Sequence, residues 1–177
     1  MIFEHNLKPF ENFQSQLDLK ISFTFNNSIL QFNFLLSGVD VSRLKLPSVQ
    51  EKKERKDGLW QTTAFELFIG EKDSSRYIEL NLAPTGDWNV YEFTSERQGM
   101  KPSAVGLKTP FVEASLGKDS YKISGTLDLQ ALELKKPLEV SATAVLEFSD
   151  NHKEYWAIQH SGEKPDFHKR ASFVVSL

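Results

Sequence analysis

Apolar and polar residues alternate with period two along most of the chain, the pattern of strands that bury one face and wet the other. From Leu17 the odd positions are apolar (Leu17, Leu19, Ile21, Phe23, Phe25), with Asp18, Lys20, Ser22 and Thr24 between them. After Asn26-Asn27-Ser28 the even positions take over, as Leu30, Phe32, Phe34 and Leu36. Two amphipathic strands joined by a short Asn-rich turn predict a hairpin. Further strands are expected at 63–69, 76–82, 88–93, 111–116, 121–127, 138–148, 155–159 and 172–176, windows rich in Phe, Tyr, Val, Ile and Thr. One helical turn is expected at Asp128–Glu133, ended before Pro137. Many short strands punctuated by turns point to an all-β antiparallel fold, a β-sandwich or barrel.

The chain has 177 residues and no internal repeat, which favours a single domain spanning 1–177. Its 21 Lys+Arg nearly balance 24 Asp+Glu, against the strongly basic face of a dedicated nucleic-acid binder. With no cysteine, disulfide scaffolds, thiolate metal sites and cysteine nucleophiles are excluded. No apolar run approaches the roughly 18 residues of a membrane span, and no basic leader precedes one, so a cytoplasmic location without membrane partners is expected. The long connection Ser37–Gly58 carries the charge run Glu51–Asp57 and is expected to be a solvated loop, with a lid over a site as the alternative.

No nucleophile elbow, phosphate-binding loop, dinucleotide fingerprint or metalloprotease helix occurs. His160 and His168 straddle Gly162 and Pro165 on an irregular segment, and no metal is assigned to them. Glu66 shares a strand face with Ala64 and Phe68, and Glu79 with Tyr77 and Asn81. Both are expected to point outward from half-wet strands; facing a concave sheet, they would instead accept hydrogen bonds from ligand hydroxyls. A glycosidase would need two carboxyls facing each other, and nothing in the sequence brings two together. Trp60, Trp88, Tyr91, Tyr155 and Trp156 lie at or near strand ends, outside the Phe-rich alternating segments. Their flat apolar faces and polar edges suit stacking on sugar rings.

Gly58-Leu-Trp-Gln-Thr-Thr-Ala-Phe-Glu-Leu-Phe-Ile69, followed by Tyr77-Ile-Glu-Leu-Asn-Leu-Ala-Pro-Thr-Gly-Asp-Trp-Asn-Val-Tyr-Glu-Phe93, resembles the DOMON-like ligand-binding family and, more distantly, the family 9 carbohydrate-binding modules attached to xylanases. Arg97-Gln-Gly-Met100, Tyr155-Trp-Ala-Ile-Gln-His160 and Lys164-Pro-Asp-Phe-His168 are similar to its bacterial stand-alone branch. The resemblance implies a sandwich of immunoglobulin-like or jelly-roll type that binds sugar or haem on a concave face or rim. Carried over position by position, it makes Trp60 and Trp88 stacking residues and Glu66 a polar contact, while Thr63 stands where the family has an acidic residue. Asn81, Tyr91, Arg97 and His160 complete the expected ligand set. The expected function is non-catalytic binding of a saccharide, with no resident cofactor. Haem held by Met100 with His160 or His168, and a protein-interaction domain, are the alternatives.

Overall fold

The computed structural model describes residues 2–11, 15–103 and 111–177. In chain order its strands are β1 (Ile2–Pro9), β2 (Asp18–Asn26), β3 (Ile29–Ser37), β4 (Ala64–Glu71), β5 (Tyr77–Leu82), β6 (Trp88–Phe93), β7 (Lys101–Pro102), β8 (Phe111–Leu116), β9 (Ser120–Asp128), β10 (Leu138–Glu147), β11 (Lys153–Ala157) and β12 (Val175–Ser176). They form two antiparallel sheets, β1-β2-β3-β9-β8 and β7-β6-β5-β4-β10-β11, with β12 paired to β10. The end of β1 pairs with β11 at Lys8↔Ala157 and Pro9↔Trp156, stitching the sheets along one edge. The expected β-sandwich is the observed architecture.

The alternation decides which faces meet. Leu19, Ile21 and Phe23 of β2 and Leu30, Phe32, Phe34 and Leu36 of β3 are buried against Phe65, Leu67 and Ile69 of β4 and Ile78, Leu80 and Leu82 of β5. Phe65 spans the sheets, 5.3 Å from Phe34 and stacked at 5.7 Å on Tyr121 between ring centroids. The β2–β3 turn is Asn27-Ser28 with φ of 47° and 68°, the two-residue turn whose twist matches that of the flanking strands.

The structure corrects several expectations. Strand β1 was not anticipated, because Leu7 is its single buried residue and the alternation there is faint. The turn at 128–133 is a 3₁₀ turn, Gln130–Leu132, whose entry is braced by Asp128 accepting from the Gln130 backbone N–H at 3.0 Å. The strand expected at 172–176 is a 3₁₀ turn, Arg170–Ser172, followed by the two-residue β12. The Ser37–Gly58 connection is sewn to the sandwich by Lys45 N–H to Glu147 O (2.8 Å) and by reciprocal Lys56–Trp88 and Trp88–Glu54 backbone bonds (3.0 Å each). Gly38 opens this connection with φ of 130°, and a Cβ there would lie 2.0 Å from the Gln16 carbonyl oxygen. Gly38→Ala is expected to cost about 1–3 kcal/mol of stability, read from the urea midpoint at unchanged m-value.

Candidate functional site

The second sheet is buried on both sides. Its inner face seals the sandwich, while its outer face carries Glu66 and Phe68 on β4, Tyr77, Glu79 and Asn81 on β5, and Asn89, Tyr91 and Phe93 on β6. Register aligns Asn89, Asn81, Glu66 and Thr143 in one row across the sheet, and Tyr91, Glu79, Phe68 and Ser141 in the next. Glu66 and Glu79 are therefore diagonal neighbours on adjacent strands, a separation of roughly 7–8 Å between Cα atoms.

A polar face such as this would ordinarily meet water. Here the segment 165–173 folds back over it, because the face also carries aromatics that need cover. His168 sets its ring edge against Phe68 (5.2 Å) and Phe93 (5.0 Å), and Phe173 packs on Phe68 (5.8 Å) and Tyr77 (5.6 Å). Polar ties hold the cover in place. Arg97 donates from Nε and Nη2 to Asp166 Oδ1 at 3.1 and 2.8 Å. The Tyr77 hydroxyl accepts from the Arg97 backbone N–H at 3.1 Å and is hydrogen-bonded with His168 Nδ1 at 2.8 Å. Arg170 donates to the Glu71 carbonyl at 2.8 Å, its guanidinium lying where Gly70 has no side chain.

Between cover and sheet lies a cavity of about 340 Å³. Glu66, Glu79 and Val145 line it from the sheet, Phe93, Tyr155, Phe167 and His168 from the sides, and Trp60, Arg97, Met100 and Pro165 complete it. Thr143 Oγ1 donates to Glu66 Oε2 (2.9 Å) and Asn81 Nδ2 to Glu79 Oε1 (2.7 Å), so each carboxyl has one oxygen held from the sheet. Burial, then repulsion from Glu79, pushes the Glu66 carboxyl up to about 8 against the Thr143 hydrogen bond. Burial raises Glu79 to about 7, opposed by the Asn81 hydrogen bond and by Arg97. Burial, then the nearby Arg97 charge, lowers His168 to about 4, leaving a neutral imidazole at neutral pH. The cavity can thus offer hydrogen-bond acceptors, carboxyls that hold protons near neutral pH, and aromatic walls.

Of the seven residues expected from sequence, three line this cavity: Trp60, Glu66 and Arg97. Trp60 sits in the 3₁₀ turn Leu59–Gln61, 36% exposed, set edge-on against Tyr91 at 5.6 Å. Tyr91 and Asn81 lie behind the lining. The Tyr91 hydroxyl donates to Asp57 Oδ1 (2.7 Å) and accepts from Asn89 Nδ2 (2.8 Å), so it supports Trp60 from below. Two expectations need correction. Trp88 faces the sandwich interior with Val90, 6% exposed, and has no face to stack on a ligand. His160 sits against Phe10 (5.2 Å) with Nε2 at 2.9 Å from the Lys8 carbonyl, outside the cavity. The expected outward, half-wet setting of Glu66 and Glu79 is likewise replaced by burial of both. Nor is Ser37–Gly58 the cover, since none of its residues lines the cavity.

Met100 and His168 both line the cavity, as a haem pair would require, but the set does not fit haem. His168 Nδ1 is committed to Tyr77, Nε2 lies 3.8 Å from Glu79, and buried carboxylates would repel the propionates. Phe167 escaped the expected ligand set because irregular segments carry no periodicity, and His168 entered only as an alternative haem ligand. The sequence offers Glu79 beside Glu66 as an acceptor for ligand hydroxyls on a concave sheet, but leaves it out of the expected ligand set.

With the geometry in hand, the chain can be set beside known folds. It aligns with a candidate carbohydrate-binding protein from Bacteroides uniformis at TM-score 0.69 and 10% identity, over 98% of this chain and 84% of that one. The chain shares a carbohydrate-binding module's β-sandwich. A family 9 carbohydrate-binding module from Caldicellulosiruptor kristjanssonii, in complex with cellotriose, aligns at TM-score 0.52 and 12% identity over 89% of this chain and 72% of the module. No protein-family model and no curated protein matches by sequence.

Proposed function

We propose that the protein is a non-catalytic saccharide-binding module whose ligand enters the cavity between the second sheet and its cover. One observation carries this reading: a half-exposed tryptophan stands at a cavity of about 340 Å³ that also presents two buried glutamates, a size that suits one or two sugar rings. Trp60 would stack on the sugar face, and Glu66 and Glu79 would bond its hydroxyls, one as acceptor and one, when protonated, as donor. The fold likeness to saccharide-binding modules supports the same reading. The DOMON-like assignment rests on the sequence resemblance.

Two glutamates in one cavity also invite comparison with a glycosidase. Such an enzyme separates its two carboxyls, keeping one protonated as the acid and the other ionised. Here both carboxyls project from adjacent strands of one cavity wall, and do not flank a ligand from opposite sides. Aryl glycosides are expected to remain intact on incubation with the protein.

Trp88 and Trp156 are buried, so Trp60 dominates the ligand-sensitive fluorescence. Titration with glucose and cello-oligosaccharides is expected to shift this emission. Trp60→Ala should weaken binding about 10-fold or more, the loss of one aromatic platform, with circular dichroism unchanged. Full affinity in that variant would remove Trp60 from the site.

A further inference from the structure

The charges around the cavity do not balance. Glu66 and Glu79 line it from β4 and β5, and Asp166, on the cover behind the lining, accepts from Arg97. Among the described residues that line it, Arg97 is the one permanent cation, and both of its contacts go to Asp166. His168 stands beside Glu79 at 3.8 Å as a neutral ring, its Nδ1 occupied by Tyr77. Glu96, on the Arg97 side, is engaged by Lys169 and by the Arg170 backbone. Tyr91, behind Trp60, gives its proton to Asp57. Among the described residues no side chain of the sheet supplies a positive charge to the two glutamates, and Arg97, which acts on Glu79, is bonded to Asp166.

One further feature points to what is missing. The remaining walls are aromatic: Trp60, Phe93, Tyr155 and Phe167. Rings around a pair of carboxylates form the setting in which an organic ammonium is favoured over a neutral group, through cation–π attraction and direct ion pairing.

We propose that the saccharide bound in this cavity carries a protonated amine, as an amino sugar does, seated between Glu66 and Glu79. The proposal rests on the saccharide reading above and adds the charge. Without ligand, the pair lowers its electrostatic cost by holding a proton. An incoming ammonium would release that proton and leave both carboxylates ionised, so binding is coupled to deprotonation.

Calorimetric titration of the full chain with glucose, glucosamine and N-acetylglucosamine tests it. At pH 7, glucosamine is expected to bind at least ~10-fold more tightly than the two neutral sugars, because a charged hydrogen bond to a carboxylate is about twice as strong as a neutral one. Its binding enthalpy is expected to vary with the ionisation heat of the buffer, the signature of proton release, and its affinity to rise from pH 5.5 to 7. The near-isosteric double variant Glu66→Gln with Glu79→Gln should bring glucosamine down to the affinity of glucose and abolish the buffer dependence, whatever glucose affinity it retains. Equal affinity for glucose and glucosamine in the wild-type chain overturns the proposal and leaves the saccharide reading standing. Binding of tetramethylammonium with no binding of any sugar overturns both, as does failure of every probe to bind.

Discussion

Phe68→Ala is expected to lower the unfolding free energy by about 3–5 kcal/mol, the cost of emptying a fully buried aromatic site, and to weaken ligand binding with it. Phe68 is 1% exposed and is the ring on which the cover assembles, with His168, Phe173, Tyr77 and Phe167 at centroid distances of 5.2, 5.8, 6.3 and 6.5 Å. It lies on the outer face of β4, so its loss leaves the Phe34–Phe65–Tyr121 contacts between the sheets intact. Chemical denaturation followed by Trp60 fluorescence would show the effect, with far-ultraviolet dichroism following the sandwich itself. An unfolding free energy within about 1 kcal/mol of wild type, the range of ordinary surface substitutions, would mean that the cover is not anchored through this ring.

A second large effect concerns pH. Glu66 and Glu79 hold protons more tightly in the folded chain, at about 8 and 7, than at their ordinary value of 4.5. The folded state therefore carries more protons than the unfolded state between those limits, and stability falls as pH rises through this window. The slope approaches ~1.4 kcal/mol per pH unit for each proton, so about 2–3 kcal/mol should be lost between pH 6.5 and 8.5. His168 acts in the opposite sense, because its folded value near 4 lies below its ordinary 6.5. Its contribution is complete above pH 6.5 and is lost as pH falls toward 4. On the acid side His168 offsets only one of the two glutamate protons, so these three groups together make stability fall as pH rises from about 4.5 to 8. Thermal unfolding of the double glutamine variant, Glu66→Gln with Glu79→Gln, should be nearly flat from pH 6.5 to 8.5. A wild-type melting temperature that rises over that interval would contradict the burial of the pair as ionisable groups.

These effects arise on a face whose strands were readable but whose setting was not. The alternation at 63–69 and 76–82 put Glu66 with Phe68 and Glu79 with Asn81 on common faces, and the structure keeps both pairings. What the strands alone did not disclose was that this face is covered. A one-sided sheet with Glu, Asn and Tyr outward reads as solvent-facing, and only the return of residues 165–173 buries it. Trp88 shows the converse. Its place after a turn suggested a rim residue, yet its parity with Val90 assigns it to the interior, and the pairing Leu82↔Trp88 confirms that side. Trp60 belongs to no strand, so periodicity said nothing about it, and the turn following Gly58 (φ 74°) aims it at the cavity.

The amino-acid sequence by itself determined the β-sandwich. Period-two alternation leaves one apolar face per strand, and the favourable way to bury many such faces is to pack two sheets on each other. Tertiary structure alone decided the site, because it depends on contacts between segments far apart in the chain. Asp166 reaches Arg97, His168 reaches Tyr77, and β4 and β5 pair in the one register that sets Glu66 and Glu79 side by side. Burial then makes two ordinary glutamates hold their protons toward neutral pH, a property that belongs to their surroundings and not to the residues.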